Sequence, residues 1–510
     1  MFQLTKNLKL LITAVMVFTS FGLQAQASET NNYQGHAPKY IFYFIGDGMG
    51  LSQANATEAY LGAMAKCNGI EKLAFSKFPN QGFYTTYATN RFITGSAAAG
   101  TALSTGHKTS INTIGMDANK QIPYKNIAEM ARDKGYKVGI VSSVSIDHAT
   151  PATFYAHQPT RNLYYKISLD LSKSGFNYFA GGGFKHPQGD GKINDKNTMA
   201  NFGMGNSDQI KEKKTNSMDI AISKGYRIVN SLNDFRALKK GDDKIIAIAP
   251  DLAGGKALPY AIDQDSLVDI SLGEFTQKGI ELLDNPNGFF MMVEGGKIDW
   301  ACHANDAATV VKEVLQFNNA VSKAIAFYSQ HPNETLILVA GDHETGGMAL
   351  GFSGSHYDSE FALLQYQNIS YENFTKIMNT YRIDNRGHYK FQEALALAKT
   401  HFGLGDPAKG LELTKFEMQQ MQDAFKQSMK KKPNKKNKDQ YYLLYGSYDP
   451  FTTTLCHILS QKAGIGWTSF SHTATPIPVR AMGVGANLYN GFFDNTDIPK
   501  KLMKLIENKL

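Results

Sequence analysis

Apolar residues in this chain gather in short unbroken runs that stop at glycine or a polar residue. Tyr40-Ile-Phe-Tyr-Phe-Ile45 gives way to Gly46-Asp47-Gly48, and Lys137-Val-Gly-Ile-Val141 runs into Ser142 to Thr150. Gly288-Phe-Phe-Met-Met-Val293 ends in Glu294-Gly295-Gly296, Leu336-Ile-Leu-Val-Ala340 ends in Gly341-Asp342-His343, and Val479-Arg-Ala-Met-Gly-Val484 is a fifth run. Runs without alternation, bounded by glycine, predict strands buried on both faces, as in a parallel sheet. Longer stretches such as Ala307 to Tyr328 read as helices that cover such a sheet. The expected fold class is therefore α/β, a mostly parallel central sheet flanked by helices on both faces. No fixed-period repeat is present.

Three regions break this rhythm. At the start, Lys6 and Lys9 precede an apolar stretch from Leu10 to Leu23, and Ala25-Gln-Ala27 follows. That pattern predicts a signal peptide over residues 1–27, a mature chain beginning near Ser28, and a periplasmic or secreted protein. No later window holds the roughly 18 apolar residues of a spanning helix. Residues 185–217 are rich in Gly, Asn, Asp and Lys and read as a surface excursion. Residues 351–470 separate two strand-like pieces by far more than an ordinary crossover. They are expected to form an inserted cap, with 28–350 and 471–510 as the catalytic core.

Composition narrows the picture further. With 42% hydrophobic and 19% charged residues, the 510-residue chain has a globular balance. Its net charge of +8 falls to +6 for residues 28–510, 51 basic against 45 acidic. Six lysines crowd into Lys430 to Lys438 and read as a solvated loop, not as a nucleic-acid-binding module. Cys67, Cys302 and Cys456 make neither a disulfide framework nor a cysteine-rich zinc site.

Candidate chemistry sits where the apolar runs end. Ligands of open α/β sheets bind beyond the carboxyl ends of the strands. There stand Asp47, then Glu294 with Asp299 and His303 behind it, then Asp342 and His343. Asp299 and His303 are spaced i, i+4, so a helix opening near Asp299 would project both from one face. Oxygen and nitrogen ligands of this kind suit zinc. Ser96 precedes a run of small residues, Ala97-Ala-Ala-Gly-Thr-Ala-Leu103. It reads as the start or cap of a helix whose N-terminus attracts anions. A serine hydroxyl is a weak nucleophile, and metal coordination is one way to activate it. Neither a Gly-x-Ser-x-Gly elbow nor a nucleotide-phosphate loop is present.

Six strings now line up: Phe44-Ile-Gly-Asp-Gly-Met-Gly50, Ser96-Ala-Ala-Ala-Gly-Thr-Ala-Leu-Ser-Thr-Gly106, Asp147-His-Ala-Thr-Pro-Ala152, Val293-Glu-Gly-Gly-Lys-Ile-Asp299 with His303, Ala340-Gly-Asp-His-Glu-Thr-Gly-Gly347, and Ser471-His-Thr473. In this order they resemble the alkaline phosphatase family over most of the chain outside residues 351–470. The resemblance implies hydrolysis of small-molecule phosphate monoesters through a phosphoserine at Ser96, on two zinc ions and one magnesium. Asp299, His303 and His472 would hold the first zinc; Asp47, Asp342 and His343 the second, beside Ser96. Asp47 would also reach a magnesium site completed by Thr150 and Glu294. Arg161 would clamp the phosphate, its fork suiting two phosphoryl oxygens. A homodimer is also implied, unless the insert blocks it. Only the resemblance selects His472 among 13 histidines.

Three residues depart from the family pattern. Gly95 stands where many members carry the Asp that positions the clamp arginine, so Arg161 is expected to be looser here. His148 and Trp300 replace an Asp and a Lys of the best-known bacterial form. His148 is then a neutral group beside the third ion or a ligand to it, which leaves that ion's identity open. The alternative enzyme is a phosphodiesterase or phosphonate hydrolase of the same superfamily. The non-enzyme alternative is a periplasmic metal- or phosphate-binding module.

Overall fold

The computed structural model describes residues 35–189, 215–430 and 438–508. The expected signal peptide, most of the 185–217 excursion and most of the lysine run lie outside these residues. Ten strands form the main sheet: β1 (Tyr40–Gly46), β2 (Asn80–Thr85), β3 (Lys137–Ser142), β4 (Tyr178–Gly181), β5 (Arg227–Val229), β6 (Ile245–Ile248), β7 (Phe289–Gly295), β8 (Thr335–Gly341), β9 (Ile477–Gly483) and β10 (Gly491–Asp494). Their spatial order is β10-β2-β9-β8-β1-β7-β3-β4-β6-β5. From β8 across to β5 every pairing is parallel. β9 runs antiparallel to both its neighbours, so its C-terminal end points away from the edge the other runs share. The expectation of a mostly parallel sheet with helices on both faces holds. The short strands β2, β5 and β10 carry no long apolar run and give no signal in the sequence.

Alternation along the buried strands splits the core in two. Phe42, Phe44, Phe289, Met291, Val293, Ile337 and Val339 join an apolar cluster that also holds Phe275 and Phe317. These two come from the helices Leu272–Leu283 and Ala307–Gln330. On the other face, Tyr43 and Phe290 meet the ring of Phe154, and the Tyr43 hydroxyl points to the carbonyl of Leu103. Both faces of the central strands are therefore dry, which is why their sequences are apolar without a break.

The helices that matter below are α1 (Ser96–Thr105), α2 (Leu272–Leu283), α3 (Lys297–His303) and α4 (Ala307–Gln330), followed by α5 (Tyr371–Asp384), α6 (Phe391–Phe402), α7 (Lys415–Ser428), α8 (Lys438–Tyr445) and α9 (Pro450–Lys462). α5 to α9 fall within residues 351–470. Their aromatic residues pack edge to face, Phe374 on Phe402 and Phe425 on Phe451. These rings belong to the same buried cluster as Phe42 and Phe317. At the base of this segment Leu350 pairs with Ile465 and Ala349 with Gly466. A second two-residue ladder pairs Thr345 with His472 and Glu344 with Thr473. That second ladder carries a distant histidine back to the sheet edge.

Candidate active site

Strand register sets the first part of the site. Gly46 of β1 faces Gly295 of β7 and Gly341 of β8, so the strands stop at one level. Asp47 and Asp342 therefore leave adjacent strand ends together. Glu294 lies in register with Ile45 on one side and Ser142 on the other. The Ser142 hydroxyl donates to Glu294 Oε2. Gly48 turns the chain with φ +72°, and its N–H donates to Asp342 Oδ1 at 3.1 Å. A Cβ on Gly48 would come within 2.8 Å of the Asp299 Cα, so only glycine fits there.

Three groups of potential ligands result: Asp47 with Asp342 and His343; Asp299 with His303 and His472; and Asp47 with Glu294 and His148. Asp299 and His303 stand on α3, one turn apart as expected, with Nε2 to Oδ2 at 3.4 Å. Ser96 is buried at the first turn of α1, but the cap is Gly95, with φ −140° and ψ 162°. The hydroxyl is thus free of capping and points at His343 Nε2, 3.3 Å away. Thr150 Oγ1 lies 3.3 Å from Asp47 Oδ2. All eleven candidate residues, Arg161 and Thr150 included, meet at this one edge.

Hydrogen bonds fix the imidazoles in a common tautomer. His303 Nδ1 donates to the Phe470 carbonyl at 2.7 Å, and His472 Nδ1 donates to the Thr94 carbonyl at 2.9 Å. A carbonyl only accepts, so each Nδ1 carries a proton, and each Nε2 presents a lone pair whenever its imidazole is neutral, as it must be around a cation. The two Nε2 atoms face each other at 3.1 Å. Thr345 Oγ1 donates to Asp299 Oδ1 at 2.6 Å and lies 3.3 Å from His343 Nδ1. The His343 Nε2 lone pair is then directed at Asp342 Oδ2 and Asp47 Oδ1, at 3.2 and 3.6 Å. Thr345 was absent from the sequence expectations, although it lies in the Asp-His-Glu-Thr string. The two backbone carbonyls have no sequence signal at all.

Electrostatics make the need for a cation plain. Burial, followed by the Asp342, Asp299 and Glu294 carboxylates, raises Asp47 well above the ordinary range. Burial and then Asp299 push Asp342 up to about 7, and burial lifts Glu294 to about 8 against the pull of the Ser142 hydrogen bond. Asp47 Oδ1, Asp342 Oδ2 and Glu294 Oε1 are all buried without a hydrogen-bond partner. Buried carboxylate oxygens and imidazole lone pairs aimed at common points are costly alone and favourable around a cation. The donor set of carboxylates, neutral imidazoles and a hydroxyl fits divalent ions. Asp299 behaves differently. Burial works to raise it, but His303, His472 and His343 hold it well below the ordinary range. In return, Asp299 outweighs the effect of burial on His303 and lifts that imidazole to about 9.

Arg161 is not loose. Its Nη2 donates to His148 Nε2 at 2.9 Å. The imidazole thus holds the arginine that Gly95, having no carboxylate, cannot hold. A neutral imidazole has one lone pair. With Nε2 engaged by Arg161, His148 Nδ1 carries the proton, and it is buried without a partner. Ligating an ion through Nδ1 would cost the bond to Arg161. Trp300 stands edge-on to His148, with ring centroids 5.6 Å apart.

A serine facing clustered carboxylates and imidazoles at the carboxyl edge of such a sheet defines a phosphate-ester hydrolase. The alkaline phosphatase family model matches residues 38–508. Alkaline phosphatase 3 of Bacillus subtilis is 30% identical over 510 aligned residues, covering 98% of this chain and 97% of its own. A cold-active alkaline phosphatase from a psychrophilic Shewanella superposes with a TM-score of 0.70 at 28% identity, covering 92% of this chain and 99% of that one. The alkaline phosphatase of Thermus thermophilus shares the fold at 23% identity, TM-score 0.72, covering 94% and 92%. The chain belongs to the alkaline phosphatase family, and is a phosphoric monoester hydrolase.

Proposed function

We propose that Ser96 is the nucleophile, that Arg161 is the phosphate clamp, and that the reaction passes through a phosphoserine. The observation that carries this is a buried Ser96 hydroxyl whose partner is His343 Nε2, beside a second array in which His303 Nε2 stands opposite His472 Nε2. One zinc is assigned to Asp47, Asp342 and His343, and a second to Asp299, His303 and His472. A magnesium is assigned to Asp47, Thr150 and Glu294, with His148 beside it holding Arg161. Bound there, the ions neutralise the carboxylates, lower the pKa of an oxygen nucleophile and stabilise charge on attacking and leaving oxygens.

The chain's own groups do the rest. α1 brings the Ser96 hydroxyl to the phosphorus at a helix N-terminus, where backbone N–H groups favour an anion. Arg161 takes two unsubstituted phosphoryl oxygens, which selects monoesters over diesters. The Ser96 Oγ–P bond forms as the bond from phosphorus to the alcohol oxygen breaks in line. The alcohol leaves past the more open Asp299 group. Water enters from that side, breaks the phosphoserine and regenerates Ser96. The leader-like residues 1–27 support a periplasmic or secreted protein, and residues 351–470 support a cap over the site. The family resemblance supports a homodimer, measurable by light scattering.

The test is metal stripping followed by restoration, with a nitrophenyl monoester and the matching diester as substrates. Stripped protein loses turnover, zinc and magnesium restore it, and the monoester is strongly preferred. Turnover indifferent to stripping, or a preference for the diester, sinks this reading.

A further inference from the structure

Beside the Asp299 group stands a set of rings drawn from residues 351–470. Phe470 anchors it, because its carbonyl accepts from His303 Nδ1 and so fixes the ring near the site. Around Phe470 lie Tyr442 and Tyr448, both with centroids 6.3 Å away, and His457 at 5.7 Å. Gly446, at φ +57°, lets the C-terminal end of α8 abut the Phe470 ring; a Cβ there would come within 2.8 Å of Cγ. Tyr448 leans edge-on against Tyr371 at 5.4 Å.

These rings are not simply core. Phe470 and Tyr448 are only partly buried, and Tyr442 keeps 51% of its surface in solvent. Partly exposed rings clustered beside a catalytic group, tilted 36° and 63° to Phe470, offer an uncharged aromatic surface against which another ring gains by stacking or edge-to-face contact. A small polar alcohol gains nothing there. We propose that Phe470, Tyr448 and Tyr442 form a leaving-group platform. The favoured substrates are phosphate monoesters whose alcohol carries a planar aromatic ring, nucleoside monophosphates among them. This rests on the placement of the departing alcohol on the Asp299 side, as argued above.

Adenosine 5′-monophosphate and ribose 5-phosphate release the same kind of primary alcohol and differ by the base, so their kcat/KM ratio isolates the platform. The ratio should favour the nucleotide by about tenfold, chiefly through KM, the scale of one base–aromatic stack. It should fall toward unity in Tyr442→Ala and Tyr448→Ala and survive in Tyr448→Phe. Tyr357→Ala, which removes a fully exposed ring outside the set, should leave it unchanged. Circular dichroism confirms that each variant is folded. Equal kcat/KM values in the wild type, or a ratio that survives both alanine variants, overturn the platform while leaving the site intact. Failure to hydrolyse either monoester overturns the site reading and the platform with it.

Discussion

The two histidine-carboxylate groups beside Ser96 are built to different standards. Asp47, Asp342 and His343 leave the ends of two central strands, and none retains any exposed side-chain surface. Asp299, His303 and His472 stand on a seven-residue helix and a two-residue ladder, and the imidazoles keep 26% and 17% of their side-chain surface exposed. The first group is rigid, dry and self-repelling; the second is wetter and already balanced by its own histidines. The difference suits a division of labour in which the nucleophile is held against the closed group and traffic passes the open one.

The sharpest way to break that comparison is Ser96→Ala. Turnover should drop by at least about 10³-fold with the fold intact, since a covalent nucleophile has no substitute in the closed group. Full turnover in that variant would remove Ser96 from the mechanism.

Thr345→Val comes next, because one hydroxyl joins the two groups through Asp299 and His343. Metal affinity, read by competition with a chelating dye, should weaken by roughly 10–100-fold, the usual effect of losing such a supporting hydrogen bond. Unchanged affinity would mean that the groups are independent.

The electrostatic contrast predicts a paradox in metal-stripped protein. Asp342→Asn keeps the Oδ1 acceptor used by the Gly48 and His343 N–H groups and replaces a partnerless oxygen with an amide that can donate to Asp47. Its melting temperature should therefore rise by about 1 °C over stripped wild type, as expected for relief of about 1 kcal/mol in a chain of this length. Its activity should collapse. A lower melting temperature would show that the crowding is not costly.

Stripped wild type should also respond to pH. Carboxylates raised to about 7 and 8 at Asp342 and Glu294 bind more protons folded than unfolded. Stability is therefore lost as pH rises from about 4 through those values. His303, raised to about 9, contributes stability that is present below about 6.5 and lost as pH climbs through 9. Burial holds His343 and His472 below the ordinary imidazole value, which works the other way only up to about pH 6.5, so thermal scans of stripped protein should show stability falling between about pH 7 and 9. Metal-loaded protein should respond far less over that range. Equal slopes would argue against cation binding at these residues.

The smallest effect belongs to Gly95→Asp. A Cβ there meets only His472 atoms, at 3.7 and 3.9 Å, and the backbone is extended, so the variant should fold. Because His148 already holds Arg161, inhibition by inorganic phosphate should tighten by only about threefold, well below a full charge-assisted hydrogen bond. No tightening would mean that the Gly95 position does not reach the clamp.

How much of this was legible in the chain follows from which forces left a pattern. Strands buried on both faces must be apolar throughout, so β1, β3, β7 and β8 announced themselves, and shared register placed Asp47, Glu294 and Asp342 together. Helical spacing announced Asp299 with His303. His472 had no such signal, because a two-residue ladder carries it in from the far side of a 120-residue excursion. The run of small residues does mark the start of a helix at Ser96, but not its cap, which is Gly95, since a capping residue is defined by backbone angles that such a run does not specify. The tie from His148 to Arg161 was missed for a related reason. Side-chain pairing across loops leaves no periodicity, and it reverses the expectation of a loose arginine.

Gly48 carries a consequence for how this protein can evolve. Its missing side chain is the space in which β1 and α3 pass, with Asp342 accepting its N–H on one side and Asp299 pressed against it on the other. One added methyl would wedge the two histidine-carboxylate groups apart. Lineages carrying this site can rewrite its surroundings widely, but random drift at this smallest residue should be purged as surely as loss of the nucleophile itself.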